Sequence, residues 1–133
     1  MVTDIRHLVR RSLLVASVLD EEALLNAAHC LADSIVLDIA CRVPKPLRDN
    51  ARRRIPSLLD DLSTSRAELL LWTDAEGVEA DLGGCAPASF RGVLVTVDDP
   101  SEIRVIDTAL SSWEQIHGPA RPHAEYGACY RKC

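Results

Sequence analysis

The most constraining stretch of the chain is Ala32 to Val43, ADSIVLDIACRV. Ile35, Val36, Leu37 and Ile39 crowd around a single aspartate, Asp38. An apolar run this short, without alternation, predicts a strand buried on both faces, the kind found in parallel sheets. Asp38 falls near its C-terminal end, where α/β folds gather ligands and catalytic groups. A prolyl turn at Pro44 and Pro46 and a basic, amphipathic segment follow at once. The same strand-then-helix plan recurs on either side.

Ser12–Ser17 reads as the first strand. Asp20 is placed to cap the next helix, with Glu21 and Glu22 facing its positive dipole end. Ala23, Leu24, Ala27, Ala28 and Leu31 fall on one stripe of that helix. Ser34–Ala40 is strand two. Leu47, Ala51, Ile55, Leu58 and Leu62 then recur at helical spacing, with Pro56 inside the pattern, where a kink or break near Arg52–Ile55 is expected. Glu68–Thr73 is strand three. Asp74–Ser89 is polar and glycine-containing, with one short helical turn expected around Val78–Leu82. Gly92–Val97 is strand four. Asp99-Pro100-Ser101-Glu102 is a helix start, and Ile103, Ile106, Leu110 and Trp113 form the stripe behind it. Residues 1–119 form the domain, and 120–133 lack periodicity and read as a flexible tail. The fold class is α/β, with about four parallel βα units joined by right-handed crossovers.

Composition narrows the function. A net charge of −5 argues against a nucleic-acid partner, and 4% aromatic content leaves little for base stacking. No apolar run approaches the ~20 residues of a membrane span. The five cysteines contain no CxxC pair and suit a reducing, cytoplasmic compartment. There is no Walker loop, no GxGxxG and no GxSxG elbow. His117, His123, Cys129 and Cys133 match no standard zinc spacing. Gly83-Gly84 follows a loop and is a poor phosphate cradle. Three acids remain: Asp38, Asp74 and Asp98, each at or just beyond the end of a predicted strand. In a barrel those ends meet at one mouth, so the acids are candidates for one pocket. The structural alternative is that they cap turns and helices. Arg11, beside the first strand, is a candidate for an anionic substrate group, or simply a surface charge.

The order of these pieces resembles the N-terminal half of the HpcH/HpaI aldolase and citrate lyase β-subunit family. Arg10-Arg11-Ser12-Leu13-Leu14-Val15 is similar to that family's opening RRSLLFVPG. Ala32–Asp38 is similar to its ADxVVLDLEDAV segment. Arg48 and Ala51-Arg52 match the KxxAR that follows, Asp81-Leu82 matches a later DL, and Gly92-Val93-Leu94 with Asp98 stands where the family has GVVLPKVES. The resemblance runs from about Arg10 to Glu114. It implies a TIM (β/α)8 barrel, here only partial. It implies carbon–carbon lyase chemistry on an oxo-acid or acyl-CoA of the citryl-CoA or malyl-CoA type, with Mg²⁺ stabilising an enolate. Asp38 would be the catalytic position, with Arg11, Asp74 and Asp98 binding substrate.

The sequence departs from that pattern at several positions. Ala40 and Cys41 replace a Glu-Asp pair, Trp72 replaces the strand-three arginine, and Val95-Thr96 replaces Pro-Lys. The family's metal ligands belong to strands five and six, beyond the matched region. Two expectations follow. One is a truncated, divergent lyase. The other is a non-catalytic subunit or remnant that self-associates, or binds a partner subunit, through open sheet edges.

Overall fold

A computed structural model describes residues 11–83, 90–117 and 125–129. The polar lead-in 1–10, Gly84, His123, Cys133 and most of the expected tail lie outside the described residues.

Five parallel strands lie side by side in the order of the sequence. They are β1 (Leu13–Ser17), β2 (Ser34–Asp38), β3 (Glu68–Asp74), β4 (Gly92–Thr96) and β5 (Glu125–Cys129). The helices are α1 (Glu21–Ala27), α2 (Arg48–Leu62), α3 (Val78–Gly83) and α4 (Glu102–His117), with a 3-10 turn at Lys45–Leu47 before α2. The α/β class and the parallel alternation of strand and helix are therefore as the sequence implied. A sheet wound in one direction by right-handed crossovers puts its helices on one face. The alternation of side chains fixes that face: Ala16, Ile35, Leu37, Leu71, Val93 and Val95 share one apolar cluster with Leu24, Ile55, Leu58, Leu62, Leu82, Ile106 and Leu110. β2 lies second in the sheet, and every one of its residues is buried. Burying Ile35, Val36 and Leu37 stabilises the fold by about 1.5–3 kcal/mol each.

The helices begin as their sequences dictate. Asp20 Oδ1 accepts from Ala23 N–H at 3.1 Å, capping α1. Asp99 accepts from Ser101 N–H at 2.8 Å, but the Glu102 carboxylate reaches back one residue further than a simple capping box, to Asp98 N–H at 2.8 Å.

The structure corrects five expectations. Leu31 is fully exposed, because α1 ends at Ala27 and the stripe does not reach it. Ile103 and Leu47 are exposed as well. α2 runs for 15 residues through Pro56, so the helix does not break near Arg52–Ile55. The segment after Pro119 contains β5, which pairs in parallel with β4, Gly92 opposite Glu125 and Thr96 opposite Cys129. No helix among the described residues is long and apolar enough to cross a membrane.

Candidate functional site

The C-terminal ends of β2, β3 and β4 open onto a cavity of about 370 Å³. That is within the usual range for a small-molecule pocket. Lys45, Arg48, Asp74, Thr96, Asp98 and Glu102 line it, with Ala40 and Ala75 between them. Asp74 and Thr96 end strands, Asp98 follows β4, and Lys45, Arg48 and Glu102 stand at the starts of the helical segments that come next, so the parallel βα plan itself assembles the site.

Arg48 organises the rim. It enters at the first residue of α2, directly after the turn that Pro44 and Pro46 impose. Its Nη1 lies 2.9 Å from Asp74 Oδ2, and its Nη2 donates to the Ala40 carbonyl at 2.9 Å. The guanidinium thereby joins the end of β3 to the turn after β2. Arg48 Nε is buried and makes no hydrogen bond. Asp74 Oδ1 accepts from Gly77 N–H at 2.8 Å, which fixes the turn into α3. Lys45 pairs with Glu76 at 2.8 Å, both side chains largely exposed. That contact holds Glu76 below the usual carboxylate range, chiefly through the lysine's hydrogen bond. Trp72 Nε1 donates to Thr96 Oγ1 at 2.7 Å, and Cys41 Sγ lies 3.5 Å from the same hydroxyl.

The candidate acids separate. Asp74 and Asp98 line the same cavity. Asp38 ends β2 and is fully buried, but it is not a lining residue. Its Oδ1 accepts from Ala40 N–H and Cys41 N–H, both at 2.9 Å. Its Oδ2 makes no hydrogen bond and faces Arg42 Nε at 3.7 Å. Arg11 stands at the opposite end of the sheet. It precedes β1 and is held by Asp33: Arg11 N–H donates to Oδ2 at 2.8 Å, and Nη2 lies 3.4 Å from Oδ1. The backbone bond from Arg11 is the main reason that the Asp33 carboxyl sits below its ordinary range. Arg11 therefore has no access to the cavity.

No protein-family model matches this chain, and no curated protein matches it.

Sequence reasoning singled out neither Lys45 nor Glu102 for the site, and named Arg48 only through the family pattern. The prolyl turn was the available signal, because whatever follows it must stand at the C-terminal end of a parallel strand. Cys41 is disulfide-bonded, whereas Cys30 is a free thiol. The donor set does not fit the Mg²⁺ that the family resemblance implies. Both oxygens of Asp74 are engaged, Glu102 Oε2 holds a backbone N–H, and among the described residues no three His, Cys, Asp or Glu side chains converge as metal ligands.

Proposed function

We propose that the chain is a divergent citrate lyase β-like protein. Its strands form part of a TIM-type barrel, and its rim cavity receives the polar head of an oxo-acid or acyl-CoA. The nominal reaction is carbon–carbon bond cleavage beside a carbonyl. The observation that carries this reading is the position of the cavity. A parallel sheet wound in sequence order, with its polar pocket at the carboxyl ends of adjacent strands, has the geometry in which such barrels bind substrates.

The residues suggest a division of labour. The Lys45–Glu76 pair is exposed on both sides and screened by solvent, so an anionic ligand can displace Glu76 from the ammonium. Asp98 and Glu102, which also line the cavity, would accept from a substrate hydroxyl. Arg48, already bonded to Asp74 and Ala40, keeps the rim in shape rather than meeting the ligand. Asp38 orders the turn after β2 through its two backbone bonds. Residence in the cytoplasm belongs to the same proposal. Thiol trapping of Cys41 in cell extracts tests it, since a reducing compartment keeps that thiol free.

Calorimetric titration with oxaloacetate, malate and acetyl-CoA, with and without Mg²⁺, tests the ligand class. Lys45→Ala is expected to weaken whichever binds by about tenfold or more, and Asp38→Ala by less. An assay of citryl-CoA and malyl-CoA cleavage tests the chemistry. Failure of every ligand to bind the wild-type protein sinks the reading.

One observation favours the second reading, a non-catalytic subunit. The rim's charged and polar groups are used on the protein itself, Arg48 on Asp74 and Ala40, and Trp72 on Thr96. An inert chain that associates on size-exclusion chromatography is the outcome that selects it.

A further inference from the structure

β1 is the first strand of the sheet and pairs only with β2 on one side among the described residues. Its sequence, LLVAS, carries no charge and no proline, and Leu13 is about half exposed. An edge of that kind is a template for another strand. The direction of its free backbone groups follows from the ladder. Ser12 carbonyl accepts from Ser34 N–H, and Val18 N–H donates to Asp38 carbonyl. Within a strand the N–H and C=O of one residue point to one side, and sides alternate along the chain. The even-numbered residues therefore face β2, and Leu13, Val15 and Ser17 face outward.

Two of those three outward carbonyls are occupied from within the chain. Ser17 carbonyl accepts from Asp20 N–H at 3.0 Å, in the turn that leads to α1. Val15 carbonyl, the middle one, accepts from Arg42 Nη1 at 3.0 Å. Arg42 belongs to the turn after β2, 27 residues away in sequence. Its Nε lies 3.7 Å from Asp38 Oδ2, a fully buried carboxylate oxygen with no hydrogen-bond donor of its own. The charge of Asp38 thus aims the guanidinium, and the guanidinium occupies the acceptor at the centre of the edge.

We propose that Arg42, steered by Asp38, is a latch that keeps β1 from taking up a strand of a second copy of this chain. A parallel or antiparallel strand arriving at β1 must donate to Val15 carbonyl, and in the closed latch that carbonyl is taken. A second copy is the fitting occupant because each copy carries the same uncharged LLVAS edge, which satisfies the self-complementarity of a two-fold contact. The latch does not depend on the rim cavity's holding a ligand, so it stands or fails separately from the lyase reading.

The test compares wild type with Arg42→Ala by light scattering after size exclusion over a concentration series. Hydrogen exchange of the β1 peptide is followed in the same samples. Wild type is expected to show fast exchange at Val15 and Ser17, independent of concentration. Arg42→Ala is expected to associate at least about tenfold more tightly, with those two amides slowing as the concentration rises. Arg42→Gln is run in parallel, in case the alanine variant loses its circular-dichroism signature. It offers amide N–H donors in place of the guanidinium but lacks the charge that Asp38 steers, and is expected to lie between the other two. Equal association of all three proteins overturns the proposal. So does association that leaves exchange at Val15 and Ser17 unchanged, or a wild type already protected there.

Discussion

A single carboxylate shows how much one residue does on the helix side of the sheet. Asp81 is buried; its Oδ1 accepts from Arg52 Nε at 2.6 Å and its Oδ2 from Thr73 Oγ1, so it joins α3, α2 and β3. Gly77 sits directly against it: a Cβ there would come within 2.9 Å of Asp81 Oδ2 and 3.3 Å of Asp74 Oδ1. Neither oxygen can yield, because each is held by a hydrogen bond. Gly77→Ala is therefore expected to destabilise the protein by about 1–3 kcal/mol in urea unfolding. An unchanged midpoint would show that the carboxylates move freely. Three acids supply a pH signature. Asp33 is held below its ordinary 3.8 by Arg11 N–H, Asp99 below 3.8 by Ser101 N–H, and Glu76 below 4.5 by Lys45. A folded-state value below the unfolded one contributes stability that is complete above the unfolded value and lost as pH falls through the folded one. Stability is thus expected to be flat near neutrality with respect to these groups and to fall below about pH 4, while carboxyl NMR titrations place all three under their ordinary values. A titration placing them at or above 3.8 and 4.5 contradicts the geometry. At this scale the sequence was a partial guide. Asp38 and Asp74 stand at strand ends as expected, yet both hold backbone turns, and only the folded chain shows which acid meets which donor.

Elements were easier to read, since apolar spacing and capping chemistry are local. The stripe of α2 is buried at Ala51, Ile55, Leu58 and Leu62, and the short helix after Asp74 forms over Val78–Gly83. The errors arose where a pattern outran its element. Leu31 continues the α1 period on paper, but the chain tightens at His29 and Cys30, whose N–H groups bond to Asn26 and Ala27 carbonyls. Pro56 is the opposite case. A proline in a helix interior removes one backbone bond and crowds the preceding turn, yet α2 continues. Ile55, Leu58, Leu59 and Leu62 around it are buried, and that tertiary burial outweighs the local cost. Pro56 itself is exposed, so replacing it loses no core contact. Pro56→Ala is accordingly expected to stabilise the protein by about 1–3 kcal/mol, read as a raised thermal midpoint. A lowered midpoint would mean that the packing of α2 requires the bend that proline favours.

The molecule as a whole is set by an asymmetry between the two faces and the two edges of its sheet. Helices lie against one face because consecutive strands are neighbours and every crossover has the same hand. Strand and helix alternation made that architecture visible in the sequence. β5 was not visible, because Glu125–Cys129 is five residues long and carries no periodic pattern of its own. Its place comes from the partner: β4 presents a free row of backbone groups, and a short segment after α4 fills it. The two outer strands of the four-strand core therefore differ: β1 has a side chain bonded to its central outward carbonyl, and β4 has an added strand, which becomes the sheet's second edge. Removing residues 118–133 is expected to lower the thermal midpoint by more than about 5 °C and to produce concentration-dependent association through β4. Both proteins must be compared fully reduced, so that the Cys41 disulfide contributes to neither. Slowed hydrogen exchange in the β4 peptide of the shortened chain at high concentration would locate the new contact. Equal midpoints and a monomeric shortened chain would mean that β5 adds nothing to the sheet, and that β4 is protected by other means.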